Sequence, residues 1–257
     1  MEPDYQHLFP DFFTLPQLLK DLPMIRARHR SLLVDRKNGC MSIDAARALL
    51  LDAQDEDEKL APWLSQKAHR TPLLSRPLIQ YKTNCSIASY PSRIDSYRHI
   101  TDAAVGNGWR FARCFALVVI ADTASMIASD APSSAESVTL WGVRDKAEEV
   151  IRQLVDEFCA SIPYILSPED TETLLRYYPH APGDAPFDQV PEVNLVTSMS
   201  QLMPSIIVGS QIYCIPHSQK QWLQQYLAML SRNPQVDKKK AMDLKLVEEC
   251  RYQLRQK

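Results

Sequence analysis

The chain has 257 residues, 45% of them hydrophobic and 23% charged, with a formal net charge of −2. That length and composition allow a sizeable core, and the near-neutral balance excludes a global pull toward nucleic acid or an acidic membrane surface. Six glycines against 18 prolines leave little material for tight hairpins or phosphate-cradling loops, so the prolines act as punctuation between helices.

Residues 1–13 read as an irregular lead-in. From Leu15 to Val34 the pattern is helical, with Leu18, Leu19, Leu22, Ile25, His29, Leu32 and Leu33 near one face and Pro23 splitting the run. Asn38 and Gly39 mark a turn, and Ser42 is the expected N-cap of a helix over residues 43–64. Asp52, Asp55, Glu56, Asp57 and Glu58 form an acidic cluster on that helix. A divalent-ion site is one reading of it; a solvated helix face near Trp63 is the favoured one, since charge runs usually stay wet. Residues 66–92 carry Pro72, Pro77 and Pro91 and read as a connector, with a short extended piece at Leu78 to Tyr81.

Residues 93–129 read as one long helix or two, weakened at Gly106 and Gly108 by about 1 kcal/mol each. The GNG there is not GxGxxG, and no alternating strand precedes it, so it does not indicate a nucleotide loop. Residues 130–137 read as a polar loop. The clearest amphipathic helix follows, from Val143 toward Leu166. Val143, Ala147, Val150, Ile151, Leu154 and Phe158 form its apolar stripe, and it is expected to stop near Ile162 because Pro163 restricts the residue before it. A short helix is expected over 169–178 and a loop over 179–192. Asn194 to Ile215 reads as a buried helix kinked at Pro204, with a buried strand as the competing assignment. Pro216 to Leu230 is amphipathic, and a last helix occupies 235–257, its Lys238, Lys239 and Lys240 most simply solvated. Together these give an all-α, multi-helix, bundle-like fold in a single domain over 1–257.

Catalytic signatures are missing. The sequence holds no GxSxG elbow, no HExxH, no Walker loop and no DDxxD. Cys40, Cys85, Cys114, Cys159, Cys214 and Cys250 are dispersed without a CxxC, as expected for reduced thiols in cytosol or nucleus. Cys214 and His217 have C-x-x-H spacing but no further ligands close by, which favours a packed thiol and a solvated imidazole. Asp95 and His99 would meet at i, i+4 on a helix, most simply as a surface hydrogen bond. The amino terminus does not have the form of a signal peptide. The longest apolar run, Cys114 to Ile127, is broken by Asp122 and reads as too short to span a bilayer. No catalytic residue, cofactor or metal is expected.

Four segments, in order, resemble the helical regulatory region of fungal binuclear zinc-cluster transcription factors. Glu58 to Leu64, EKLAPWL, is similar to that region's "ld.eL..W" stretch. Tyr97, Asn107, Trp109, Arg110 and Arg113 fit its tyrosine followed by WN-x-Y/W-R-x-x-R, with Gly106 in place of the first tryptophan. Asp156 to Leu166, DEFCASIPYIL, resembles its "ICASIPYHL" run. Ser198 to Ser210 resembles its "LLWPLyvAGs" stretch, with Met203 replacing the tryptophan and Pro204, Gly209 and Ser210 retained. Gln221 to Leu223 follows where the family continues.

The resemblance implies an all-α fold and regulation of transcription, in the nucleus or alternatively the cytoplasm, through protein partners of the transcription machinery, self-association or a ligand. It also implies a zinc-binding, DNA-reading six-cysteine cluster ahead of the helical region. Here Cys40 stands alone, so direct sequence-specific DNA binding by this chain is not expected. The runner-up reading is a helical enzyme or small-molecule binder lined by the surroundings of Trp109, Phe111 and Trp141. On either reading Asn107, Arg110 and Arg113 lie on an apolar helix. Buried arginines require partners, and Asp156 and Glu157 are the expected ones.

Overall fold

The computed structural model describes residues 19–64, 72, 74–77, 93–97, 100–130, 135–166 and 212–231. Within them the fold is all-α in character. There are five helices, α1 (Leu22–Lys37), α2 (Ile43–Leu60), α3 (Ile100–Asp130), α4 (Ala135–Leu166) and α5 (His217–Ser231), and one small ribbon of two strands, β1 (Leu74–Pro77) and β2 (Arg93–Ser96). The chain divides into two compact units, one of residues 1–68 with 108–154, the other of 69–107 with 155–257.

In the first unit, Pro23 occupies the opening turn of α1, where its missing N–H would have had no helical partner. It therefore starts the helix and does not split it. Arg36 and Lys37 lie in the last turn, at the negative end of the helix dipole. The exit is a glycine turn: Gly39 has φ 70°, and its N–H donates to the Arg36 carbonyl at 3.1 Å. Ser42 caps α2 as expected, its hydroxyl accepting from the Ala45 N–H at 3.3 Å. The helix ends at Leu60, with turn geometry through Leu64. Its buried side is Ala46, Leu49, Leu50, Ala53, Glu56 and Leu60. α1 buries Ile25, His29 and Leu32 and packs on α2, with Arg28 ion-paired to Asp52.

In the second unit, β1 pairs antiparallel with β2, Ser75 opposite Asp95. The Ser75 hydroxyl donates to Asp95 Oδ1 at 2.8 Å. The sequence pattern places residues 93–96 at the start of a helix. Asp95 and Tyr97, both buried, instead follow the two-residue period of a strand. Asp95 and His99 are consequently not an i, i+4 helical pair. The extended piece expected at 78–81 lies outside the described residues.

α3 is one uninterrupted helix through Gly106 and Gly108. Its buried Ala103, Val105, Trp109, Ala112, Ala116, Leu117, Ile120 and Ala124 show what outweighs the two glycines. By length and composition Asp102–Asp130 is long and apolar enough to cross a membrane, contrary to the reading that interruption at Asp122 leaves it too short. Yet 78% of its apolar window is buried within the fold, as in a core helix.

α4 is longer than expected at both ends. Residues 135–137 are helical, and the Ser137 hydroxyl donates to the Ala128 carbonyl at 3.0 Å. At the other end the helix passes Pro163 and reaches Leu166. Proline costs a helix interior about 3 kcal/mol. Here it follows Phe158, Cys159, Ala160, Ser161 and Ile162, all fully buried, whose packing holds the helical path. Ile212–Ile215, expected to end a helix, form a turn, because Pro216 disfavours helical geometry at Ile215. α5 then buries Trp222 and Leu223, as its pattern requires.

Cys40 is exposed and Cys214 half-buried, whereas Cys114 and Cys159 are buried. The expected segments at 1–13, 169–178, 179–192 and 235–257, and Cys85 and Cys250, lie outside the described residues.

Candidate functional site

In the first unit, the motif residues of α3 clasp the end of α2. Trp109 and Arg113 are one turn apart and share a face; Asp57 and Leu60 are the matching pair on α2. The Trp109 indole N–H donates to the Leu60 carbonyl at 2.8 Å. That carbonyl belongs to the last turn of α2, where helical donors run out; it accepts from the Trp63 N–H of the following turn at 3.2 Å, and the indole adds a second bond supplied from another helix. Arg113 Nε donates to Asp57 Oδ1 at 2.7 Å, and its guanidinium carbon lies 5.7 Å from the centre of the Trp109 ring. Both side chains of this ion pair are mostly shielded, with 17% and 19% exposure. The arginine also places its charge at the negative end of α2.

This corrects the reading of the acidic cluster as a wholly solvated face. Asp52 pairs with Arg28, Asp55 with Lys59, and Asp57 with Arg113. Glu56 is 1% exposed. Helical geometry explains it: 56, 57 and 60 continue the stripe of 46, 49, 50 and 53.

In the second unit, Asn107 on α3 meets Ser161 on α4. The carboxamide N–H donates to Ser161 Oγ at 2.8 Å, and the serine hydroxyl donates to the Phe158 carbonyl at 2.7 Å. Both residues are buried, so these bonds satisfy groups that water cannot reach. Asp156 and Glu157 are half-buried on α4.

Arg110, back in the first unit, is 1% exposed and is the largest fully buried side chain among the described residues. Neither Arg110 nor Arg113 is solvated, and Arg113 is held by Asp57 of α2 and not by Asp156 or Glu157, the partners expected for it. A pairing that no sequence pattern suggests is His29 on α1 with Asp122 on α3, Nε2 to Oδ2 at 3.4 Å and both nearly buried.

The aromatic groups proposed as pocket walls are part of the packing. Trp109 and Phe111 are buried, and the half-buried Trp141 carries the Arg144 guanidinium 4.9 Å from its ring centre. Cys214 lies in the turn before α5 and His217 is exposed at its first residue. Among the described residues no three or more His, Cys, Asp or Glu side chains gather into a group able to hold a metal ion. The Ser198 to Ser210 segment lies outside the described residues.

No family model matches the chain, and neither a curated protein nor a solved structure matches it.

Proposed function

We propose that this chain is a regulatory helical domain of the kind found in fungal zinc-cluster transcription factors, acting in the nucleus by binding protein or small-molecule effectors and not by catalysis. The observation that carries the reading is that the residues of the resemblance are those that hold the helices together. Trp109 and Arg113 clasp the α2 end that belongs to the first segment, and Asn107 bonds Ser161 of the third. A chance likeness of four short strings would place such residues indifferently among core and surface.

The test is to fuse the whole chain to an unrelated DNA-binding domain and measure transcription from a reporter carrying its site in fungal nuclei. The reading expects a reproducible change in output against the DNA-binding domain alone at matched protein level. Equal output under varied growth conditions would overturn it.

A further inference from the structure

One buried carboxyl in the first unit takes no part in the clasp. Glu56 projects from α2 into the interior, 1% exposed, and its Oε1 has no hydrogen-bond partner. Its other oxygen is 3.8 Å from Lys59 Nζ, but that ammonium is committed to Asp55 at 2.6 Å. The neighbouring Asp57 is occupied by Arg113 of α3. Across from α2, the charged groups acting on Glu56 are Lys20 and Asp21, at the entry to α1. Asp21 sits at the N-cap position of α1 and makes no capping bond with its side chain.

An isolated carboxylate in such a place is unfavourable, because water is removed and no donor replaces it. A neutral carboxylic acid is tolerated. We propose that Glu56 is a proton-dependent latch on the docking of α1 against α2: the buried site favours the neutral acid over the carboxylate, and ionisation loosens the entry to α1.

The charge balance agrees with the geometry. Burial is the largest influence and pushes the Glu56 carboxyl above the ordinary glutamate range; Lys59 draws it down, Asp21 and Asp55 push it up, and Lys20 draws it down. In the unfolded chain the group returns to its ordinary value. Between the two values the folded form binds more protons, so stability falls as pH rises through this window. Below the window the latch is closed without penalty; above it the full cost of the buried charge is present.

Hydrogen exchange of the whole chain, corrected for intrinsic rates and followed over residues 22–37 from acid to alkaline pH, tests this. Wild type is expected to lose α1 protection as pH rises above the ordinary glutamate range, whereas Glu56→Gln keeps a flat profile. The thermal midpoint of Glu56→Gln should exceed that of wild type above the window and meet it in acid. Lys59→Met removes the nearest cation and should make the loss of protection larger and extend it to higher pH, with its onset unchanged. Matching profiles for wild type and Glu56→Gln overturn the proposal. Should the glutamine variant not fold, an unmoved profile in Lys59→Met overturns it.

Discussion

The clasp between α2 and α3 makes a quantitative claim about Asp57 and Arg113. Replacing Asp57 by alanine leaves a guanidinium, 17% exposed, facing a vacated site. Breaking a fully buried pair from one side costs about 3–5 kcal/mol, whereas an exposed pair is worth roughly 0–1 kcal/mol. This pair lies nearer the buried limit, and residual solvent softens the loss, so Asp57→Ala is expected to cost about 2 kcal/mol. Arg113→Ala should cost a similar amount, because it also removes the cation from the Trp109 face. The double variant should lose less than the sum, by a coupling of about 1–2 kcal/mol. Urea denaturation followed by circular dichroism and tryptophan fluorescence gives the cycle, and the two probes together reveal whether the two compact units unfold separately. Repeating it in 1 M salt separates the alternatives, since screening at about 3 Å erases a solvated pair and largely spares a shielded one. Strict additivity, or a coupling that vanishes in salt, would refute the clasp as a shielded contact.

Three further outcomes follow from the same geometry. Trp109→Phe keeps an aromatic ring but removes the indole bond to the Leu60 carbonyl, which retains the Trp63 N–H, and is expected to destabilise by about 1 kcal/mol in the same urea assay. Asn107→Ala removes the bond to Ser161 while the serine keeps the Phe158 carbonyl, so its cost should stay near 1–2 kcal/mol, read as a shift in the denaturation midpoint. Gly142 lies within α4 and an added Cβ would meet nothing within 4 Å; Gly142→Ala should therefore stabilise by about 0.5–1 kcal/mol, measured by thermal melting.

What can be read from the sequence is mostly local. The Ser42 cap and the Asn38–Gly39 turn depend on a few adjacent residues, and both form as expected. The stripe of α4 needs only a repeating period. The ribbon of β1 and β2 is invisible in sequence because each strand is four residues long and its partner lies about twenty positions away. Pro163 misleads because a local rule is weighed against packing that the sequence does not display. The acidic run of α2 misleads differently. Its composition says solvent, yet the positions of Glu56 and Asp57 fall on the buried stripe defined by Leu49, Ala53 and Leu60. Position, and not residue type, is the informative signal there. The helical period alone marks Asp57 as a shielded carboxylate that needs a cation beside it.

The polar residues of α3 have a role that stability alone does not explain. From Ala112 to Ala128 this helix is apolar on most sides, with Cys114, Ala116, Leu117, Val119, Ile120, Ala121, Ala124, Met126, Ile127 and Ala128 all buried. Such a surface packs almost equally well after a shift of one turn, because dispersion and burial carry little directional information. Hydrogen bonds do carry it. Trp109 reaches one particular carbonyl on α2, Arg113 one carboxylate three residues before it, and Asn107 one hydroxyl on α4. A one-turn slip, about 5.4 Å along the axis, would break all three and leave the shielded Asp57 carboxylate without its cation. The few polar side chains thus select one register from several that the apolar surface would accept.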